Sequence, residues 1–238
     1  MINKYSCINI YEHKKKNSKL SSQILYGEKF IILKEYKDWY KIKTSYDKYV
    51  GFIKKKKFEK FAHKPTHKVS SLKANIFSKP FKSSKIKMKL SFASLLQIKS
   101  RKNNFLNFDN YWIQKSDVVP INYKEKIFYK ITIFKNVKYK WGGKKFDGID
   151  CSGLVQLFYK FNNLYCPRDT GPQFRYFKKF KSIKKNAIIF WKGHVAVCLS
   201  KSKLIHAYGP KKKVIIMDIK KTINLIEKTA KLKVIGVK

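Results

Sequence analysis

Acid is what this chain has least of. Its 238 residues include 14 Asp and Glu against 56 Lys and Arg, for a formal net charge of +42. Arginine is nearly missing as well: Arg101, Arg168 and Arg175 are the only three. The lysines are scattered through every segment rather than gathered in one arm, and Ile, Asn, Phe and Tyr are abundant alongside them, as in an A+T-rich coding sequence. The charge therefore reads as a solvated lysine surface. It brings weak attraction to polyanions and no specific nucleic-acid partner. No apolar run reaches the roughly 18 residues a membrane span needs, so none is expected. The opening MINKYSCINIYEHKKKNSK has no apolar core and no cleavage-site pattern of the signal-peptide kind, and a cytoplasmic location is expected. Cysteine is scarce. Cys7, Cys151, Cys166 and Cys198 form no CxxC pair and no zinc pattern, so free thiols are expected, with no metal and no cofactor.

What is present divides into three segments. Hydrophobic residues make up 44% of the chain, enough for a real core. Residues 1–58 read as short strands separated by tight turns, in QILYGEKFIILKEY, WYKIKT and DKYVGFIKK, the pattern of a small β-barrel. Residues 59–119 repeat the theme, with Trp112–Ile113 where Gly51–Ile53 stood before. Pro120 opens the third segment, 120–238. There NYKEKIFYKITIFKN (122–136) has a helix-like apolar pattern through Ile127, Phe128, Ile131 and Phe134. CSGLVQLFYKF (151–161) reads as a second helix, despite Gly153 in its first turn. The runs HVAVCLS, KLIHAYG and VIIMDI follow as strands. Helices first and an antiparallel sheet afterwards imply an α+β domain.

Cysteine attacks as the thiolate, so a nucleophilic cysteine needs its pKa lowered by a helix start, an imidazolium or hydrogen-bond donors. Cys151 sits in the first turn of the helix read at 151–161, where free backbone N–H groups favour negative charge. His13, His63 and His67 lie in lysine-rich loops and read as exposed. His194 and His206 lie in adjacent strand-like runs joined by SKSK, a connection that could bring them side by side as a base and the residue that orients it. On spacing alone, two satisfied strand histidines fit as well.

The motifs Y-x-W-G-G (139–143), D-C-S-G-L-V (150–155), P-R-D-T (167–170), G-H-V-A-V (193–197) and L-I-H-A (204–207) occur in one order. Together they resemble the NlpC/P60 family of papain-like cysteine peptidases over residues 120–238. The stretches YGEKFIIL, DWYKIK and YVGFI resemble a bacterial SH3 (SH3b) domain. The implied architecture is an α+β, papain-like catalytic domain preceded by two small SH3b-like barrels. The resemblance implies Cys151 as nucleophile, His194 as base and His206 as orienting residue, acting on amide bonds of bacterial cell-wall peptides.

SH3b domains ahead of such a domain resemble the γ-D-glutamyl-L-diamino acid endopeptidases, which act on murein peptides with a free N-terminal L-Ala. That resemblance implies that Asp150, with Glu28 and Tyr49 of the first barrel, holds the alanine ammonium, Tyr46 being the alternative to Tyr49. Ser152, Arg168 and Asp169 would line the site, beside Trp141, and Tyr139 would help the oxyanion. A guanidinium kept at Arg168, where lysine is otherwise used, fits bidentate carboxylate binding. If the first barrel walls off the site, intact wall cannot enter and a dipeptide is released during cell-wall recycling. An amidase or acyltransferase on the same fold, and an SH3b-based peptide-binding protein, remain the alternatives. Trp141 also fits a core position. Asp147 reads as a turn residue, Cys166 and Cys198 as packing residues, Cys7 as inert and Arg101 as exposed.

Overall fold

Alternation of apolar and polar residues sets the N-terminal half. In a computed structural model of the chain, which describes residues 1–60, 64–180 and 182–238, two units form: Met1–Lys124 and Glu125–Lys238. The first unit begins with β1 (Cys7–Tyr11), β2 (Leu20–Leu25), β3 (Phe30–Glu35), β4 (Trp39–Thr44) and β5 (Val50–Lys54). Ile8 and Ile10 point inward from β1, meeting Ile24, Phe30, Ile42 and Ile53 in one apolar cluster. The five strands form an antiparallel sheet in the order β2-β1-β5-β4-β3.

The rest of the unit contains β6 (His67–Val69), β7 (Lys73–Phe77), β8 (Lys85–Ser91), β9 (Leu95–Leu96), β10 (Ile98–Lys102), β11 (Phe105–Phe108), β12 (Tyr111–Gln114) and β13 (Val118–Pro120). Strands β8-β7-β12-β11-β10 form a second sheet, and β13-β6-β9 a small third one. Read from that end, the second sheet repeats the first strand for strand: β12, which carries Trp112–Ile113, stands in the place of β5, which carries Gly51–Ile53. The two halves share a core residue. Tyr26, just past β2, is buried among Val69, Leu90, Phe108 and Ile113, and its hydroxyl donates to Asp109, which also pairs with Lys4.

The second unit contains the hairpin β14 (Lys144–Lys145) and β15 (Gly148–Ile149), then α1 (Cys151–Phe161) and α2 (Thr170–Tyr176). Next come β16 (Ile188–Trp191), β17 (His194–Cys198), β18 (Lys203–Tyr208), β19 (Lys213–Asp218), α3 (Ile219–Ala230) and β20 (Val234–Val237). The sheet is antiparallel, in the order β19-β18-β17-β16-β20, and α1 packs on β17 and β18. Leu154, Val155, Leu157, Phe158 and Phe161 of α1 are all buried. Each such side chain contributes roughly 1.5–3 kcal/mol by leaving water.

The expected helix at 122–136 does not form. Only a 3-10 turn, Ile131–Phe134, is present, and Phe128 has φ +67°, which interrupts any helical run. Its apolar residues serve a different purpose: the rings of Phe128 and Phe134 lie 6.0 and 5.8 Å from that of Phe158, beneath α1. Periodicity alone could not separate a helix face from apolar anchors placed on a turn-rich strap.

Candidate active site

The stretch Asp150–Gly153 converts a hairpin into a helix. Asp150 is the N-cap of α1, and its Oδ1 accepts the Gly153 N–H at 2.7 Å. Its Oδ2 accepts the Gly142 N–H at 2.8 Å, an amide aimed by the left-handed φ of +71° at Gly142. Arg168 closes the group with a fork: its guanidinium donates to Oδ1 at 3.0 Å and to Oδ2 at 2.6 Å, and also to Ser152 Oγ at 3.0 Å. Asp150 and Arg168 are only 7% and 3% exposed. The fork is the bidentate use expected of a lone guanidinium, here met inside the chain. A β-carbon on residue 153 would lie 2.6 Å from the Gly143 oxygen and 2.9 Å from Asp150 Oδ1. Glycine is thus required in the first helical turn, because the cap and the 142–143 turn pack directly over it.

Cys151 is the first helical residue and is buried. Burial pushes its thiol up to about 12, helped by the Asp150 charge; hydrogen bonds from the Val195 and Ser152 backbone and the Arg168 charge work against that rise. Val195 follows His194, so the sulfur sits against the first residues of β17. Strands β17 and β18 pair with Val197 opposite Ile205 and Cys198 opposite Leu204. That register sets the two histidines diagonally, and His194 Nε2 meets His206 Nδ1 at 2.9 Å. Burial lowers His194 to about 4; burial and its neighbour lower His206 to about 3. Both rings are therefore neutral at neutral pH. Tyr208 stacks on His206 at 4.7 Å and 11°, and His206 Nε2 lies 3.4 Å from Met217 Sδ.

Tyr139 is half-buried; burial, then the neighbouring Cys151 and Asp150, push its hydroxyl up to about 12, so it stays a neutral donor. Trp141 is 61% exposed in the turn beside Gly142, which excludes the core reading. Asp169 is exposed at the N-cap of α2, with its carbonyl on the Gln173 N–H. Gln173, absent from the sequence-based site, is fully buried and donates to the carbonyls of Ser152 and Pro167 at 2.9 Å each, tying α2 to the start of α1. Its place inside PRDTGPQF, which reads as loop, concealed it.

Glu28 and Tyr49 belong to the first unit. Glu28 is buried and accepts the Leu25 N–H; Tyr49 packs on the first apolar cluster, and its N–H donates to Thr44 Oγ1 at 2.9 Å. Cys166 and Cys198 are buried and all four cysteines are free thiols. Asp147 is exposed in the β14–β15 turn beside Lys145, and Arg101 and His13 are exposed. His67 is half-buried on β6 rather than exposed; His63 lies outside the described residues. Among the described residues no group of His, Cys, Asp and Glu is arranged to hold a metal, and no helix is long and apolar enough to cross a membrane.

The NlpC/P60 family matches residues 136–230, the segment that holds Cys151, His194 and His206. Residues 136–230 are an NlpC/P60 domain. The bacterial dipeptidyl-peptidase SH3 domain matches residues 10–58, which include β2 to β5. A γ-D-glutamyl-L-lysine dipeptidyl-peptidase of Bacillus subtilis (strain 168) is 27% identical over 234 residues, spanning 86% of this chain and 77% of that protein. Dipeptidyl-peptidase 6 of Lysinibacillus sphaericus is 23% identical over 228 residues, 84% of either chain. A crystal structure of an NlpC/P60 family protein from Bacillus cereus ATCC 10987 matches with a TM-score of 0.85 at 19% identity, covering 100% of this chain and 98% of that one. The last likeness concerns the fold. The NlpC/P60 domain and these relatives support a peptidase.

Proposed function

We propose that the NlpC/P60 domain is a cysteine peptidase with Cys151 as nucleophile, His194 as base and His206 as the residue that orients it. The observation that carries this reading is the pairing of a buried, helix-start cysteine, set against the first residues of β17, with a hydrogen-bonded pair of neutral histidines of which the first opens that strand. His194 Nε2 is engaged with His206, which leaves Nδ1 as the nitrogen for the thiol. As Sγ bonds to the carbonyl carbon, its proton moves to His194 Nδ1 and the carbonyl π electrons move to oxygen, where the Tyr139 hydroxyl supports them. Collapse of that adduct breaks the C–N bond, and His194 gives the proton to the leaving amine. His194 then takes a proton from water as the water oxygen bonds to the thioester carbon; collapse of that adduct breaks the C–S bond, and the proton passes from His194 to Sγ.

For substrate, we propose peptides carrying a free N-terminal L-Ala, cut between γ-D-Glu and a diamino acid, as a step of cell-wall peptide recycling in the cytoplasm. The names of the relatives and the domain order support this class. Asp150, Ser152, Arg168, Asp169 and Trp141 are the proposed contacts. Asp150 is the proposed partner of the alanine ammonium, and Arg168 pairs with it inside the chain. Glu28 and Tyr49 are added on the family resemblance alone. The repeated strand order supports a second SH3b-like domain at 59–119, ahead of a catalytic domain at 120–238.

Mass spectrometry of products from L-Ala-γ-D-Glu-meso-diaminopimelate and its N-acetylated form tests both parts. Release of L-Ala-D-Glu from the free peptide only is expected. Equal cleavage of both forms overturns the ammonium requirement, and full activity of Cys151→Ala overturns the nucleophile.

A further inference from the structure

The histidine pair has two possible hydrogen-bond directions, and only one of them leaves a base. If His194 Nε2 donates to His206 Nδ1, then His194 Nδ1 carries a lone pair and can take the thiol proton. If His206 Nδ1 donates instead, His194 holds its proton on Nδ1 and cannot act. A 2.9 Å contact between ring nitrogens does not choose between them. The choice falls to whatever stands at the outer nitrogen of His206.

That neighbour is Met217. The β18–β19 register sets His206 opposite Ile215, so the next residue along β19 on the same face is Met217. Its Sδ lies 3.4 Å from His206 Nε2. A thioether sulfur has lone pairs and no hydrogen to give, so it can only accept. With a proton on His206 Nε2 the contact is an N–H···S hydrogen bond. With the proton on Nδ1, two lone pairs would face each other at the same distance. Stacking of Tyr208 on the His206 ring, at 4.7 Å and 11°, keeps the ring in the plane that faces Met217.

We infer that Met217 is a positioning residue that fixes His206 as the Nε2–H tautomer, and through it leaves His194 Nδ1 free to act as the base. This rests on the reading of Cys151, His194 and His206 given above. The same logic operates wherever the group behind a catalytic imidazole sets which nitrogen holds the proton. The neutrality of both rings makes the tautomer the quantity to be set, since a doubly protonated ring would have none.

The test compares Met217→Leu, which keeps apolar bulk and removes the acceptor, with Met217→Gln, whose side-chain oxygen can accept. Two-bond nitrogen–proton NMR on 15N-histidine protein reads the His206 tautomer directly, without any turnover. Steady-state kinetics on the free peptide reads kcat and KM separately. The expected result is the Nε2–H tautomer in the parent protein and a mixed population in Met217→Leu. Its kcat should fall about threefold to tenfold at unchanged KM, the size of one modest hydrogen bond. Met217→Gln should recover both signals. An Nδ1–H tautomer in the parent protein, or a Met217→Leu variant with unchanged tautomer and kcat, overturns the inference. A fall in kcat that Met217→Gln does not recover overturns it too, because simple packing would account for that. Failure of the nucleophile assignment would appear separately, as activity in Cys151→Ala with the tautomer signal intact.

Discussion

Replacing Asp150 by Asn probes the most tightly built part of the site at nearly constant volume. The carboxylate accepts from Gly142, Gly153 and both terminal nitrogens of Arg168. An amide cannot do the same in either orientation. With its oxygen toward Gly153, its NH2 faces two donors, the Gly142 N–H and the Arg168 fork; turned over, it faces the Gly153 N–H and the other half of the fork. Either way the Arg168 cation, whose side chain is 1% exposed, loses its counter-charge. If Asp150 were only a helix cap, about 1 kcal/mol would be lost. Leaving a buried charge uncompensated costs about 3–5 kcal/mol. The two cases separate in urea, followed through the fully buried Trp191 of the same unit. At a slope of about 1–3 kcal/mol per molar, the larger loss lowers the midpoint by at least about 1 M. Asp147→Asn is the control: that residue is exposed in a turn, and its surface pair with Lys145 is worth at most about 1 kcal/mol. A loss below about 1.5 kcal/mol for Asp150→Asn, at unchanged slope, would refute the view of Asp150 as a buried counter-ion. The same variant removes a negative charge that raises the Cys151 pKa, so alkylation of Cys151 should begin at lower pH.

Gly153→Ala should destabilise, although alanine in a helix is ordinarily favoured over glycine by about 1 kcal/mol. The added methyl meets the Gly143 oxygen at 2.6 Å, and overpacking of this kind costs about 1–3 kcal/mol; a raised melting temperature would contradict the packing argument. Stability should also fall as pH drops from about 6.5 toward about 4. His194 and His206 are held to about 4 and about 3 in the fold, below their ordinary 6.5, so the unfolded chain binds more protons across that window. Each contributes up to about 1.4 kcal/mol per pH unit there. Urea titrations at pH 7 and pH 5 should differ accordingly, with a smaller difference in His206→Gln; an identical difference in that variant would count against the assignment.

The geometry of the candidate site was legible because it is local or nearly so. Asp150–Gly153 is one turn of chain, and two strands with a short connection can hardly avoid bringing His194 near His206. The repeat in the first unit was legible too, since β5 and β12 carry matching apolar pairs in matching places. What stayed hidden depends on contacts far apart in sequence. The 122–136 strap has the apolar spacing of a helix, but its rings pack under α1 one at a time. Helix α2 starts inside a run containing Pro167, Gly171 and Pro172, and the contacts that hold it, Gln173 on Ser152 and Phe174 against Phe190, reach residues elsewhere in the chain. Arg168 was read as lining the site and suited to bidentate carboxylate binding, and the carboxylate it meets in the fold is that of Asp150. Sequence spacing identifies a guanidinium that matters and says nothing about which carboxylate reaches it first.

That internal pairing bears on how the thiol reacts. The two formal charges nearest Cys151, those of Asp150 and Arg168, largely cancel, so burial decides the resting state of the sulfur. Burial acts on nucleophile and base in the same sense, favouring thiol with neutral imidazole. Both shifts oppose a proton transfer at rest, and the attraction between the charges that transfer would create works the other way. In the reaction proposed above, negative charge passes on to the carbonyl oxygen as the substrate is attacked. Under the proposed reading the rate depends on having the lone pair of His194 on the correct nitrogen at the moment of attack, the property inferred above for the chain His194–His206–Met217.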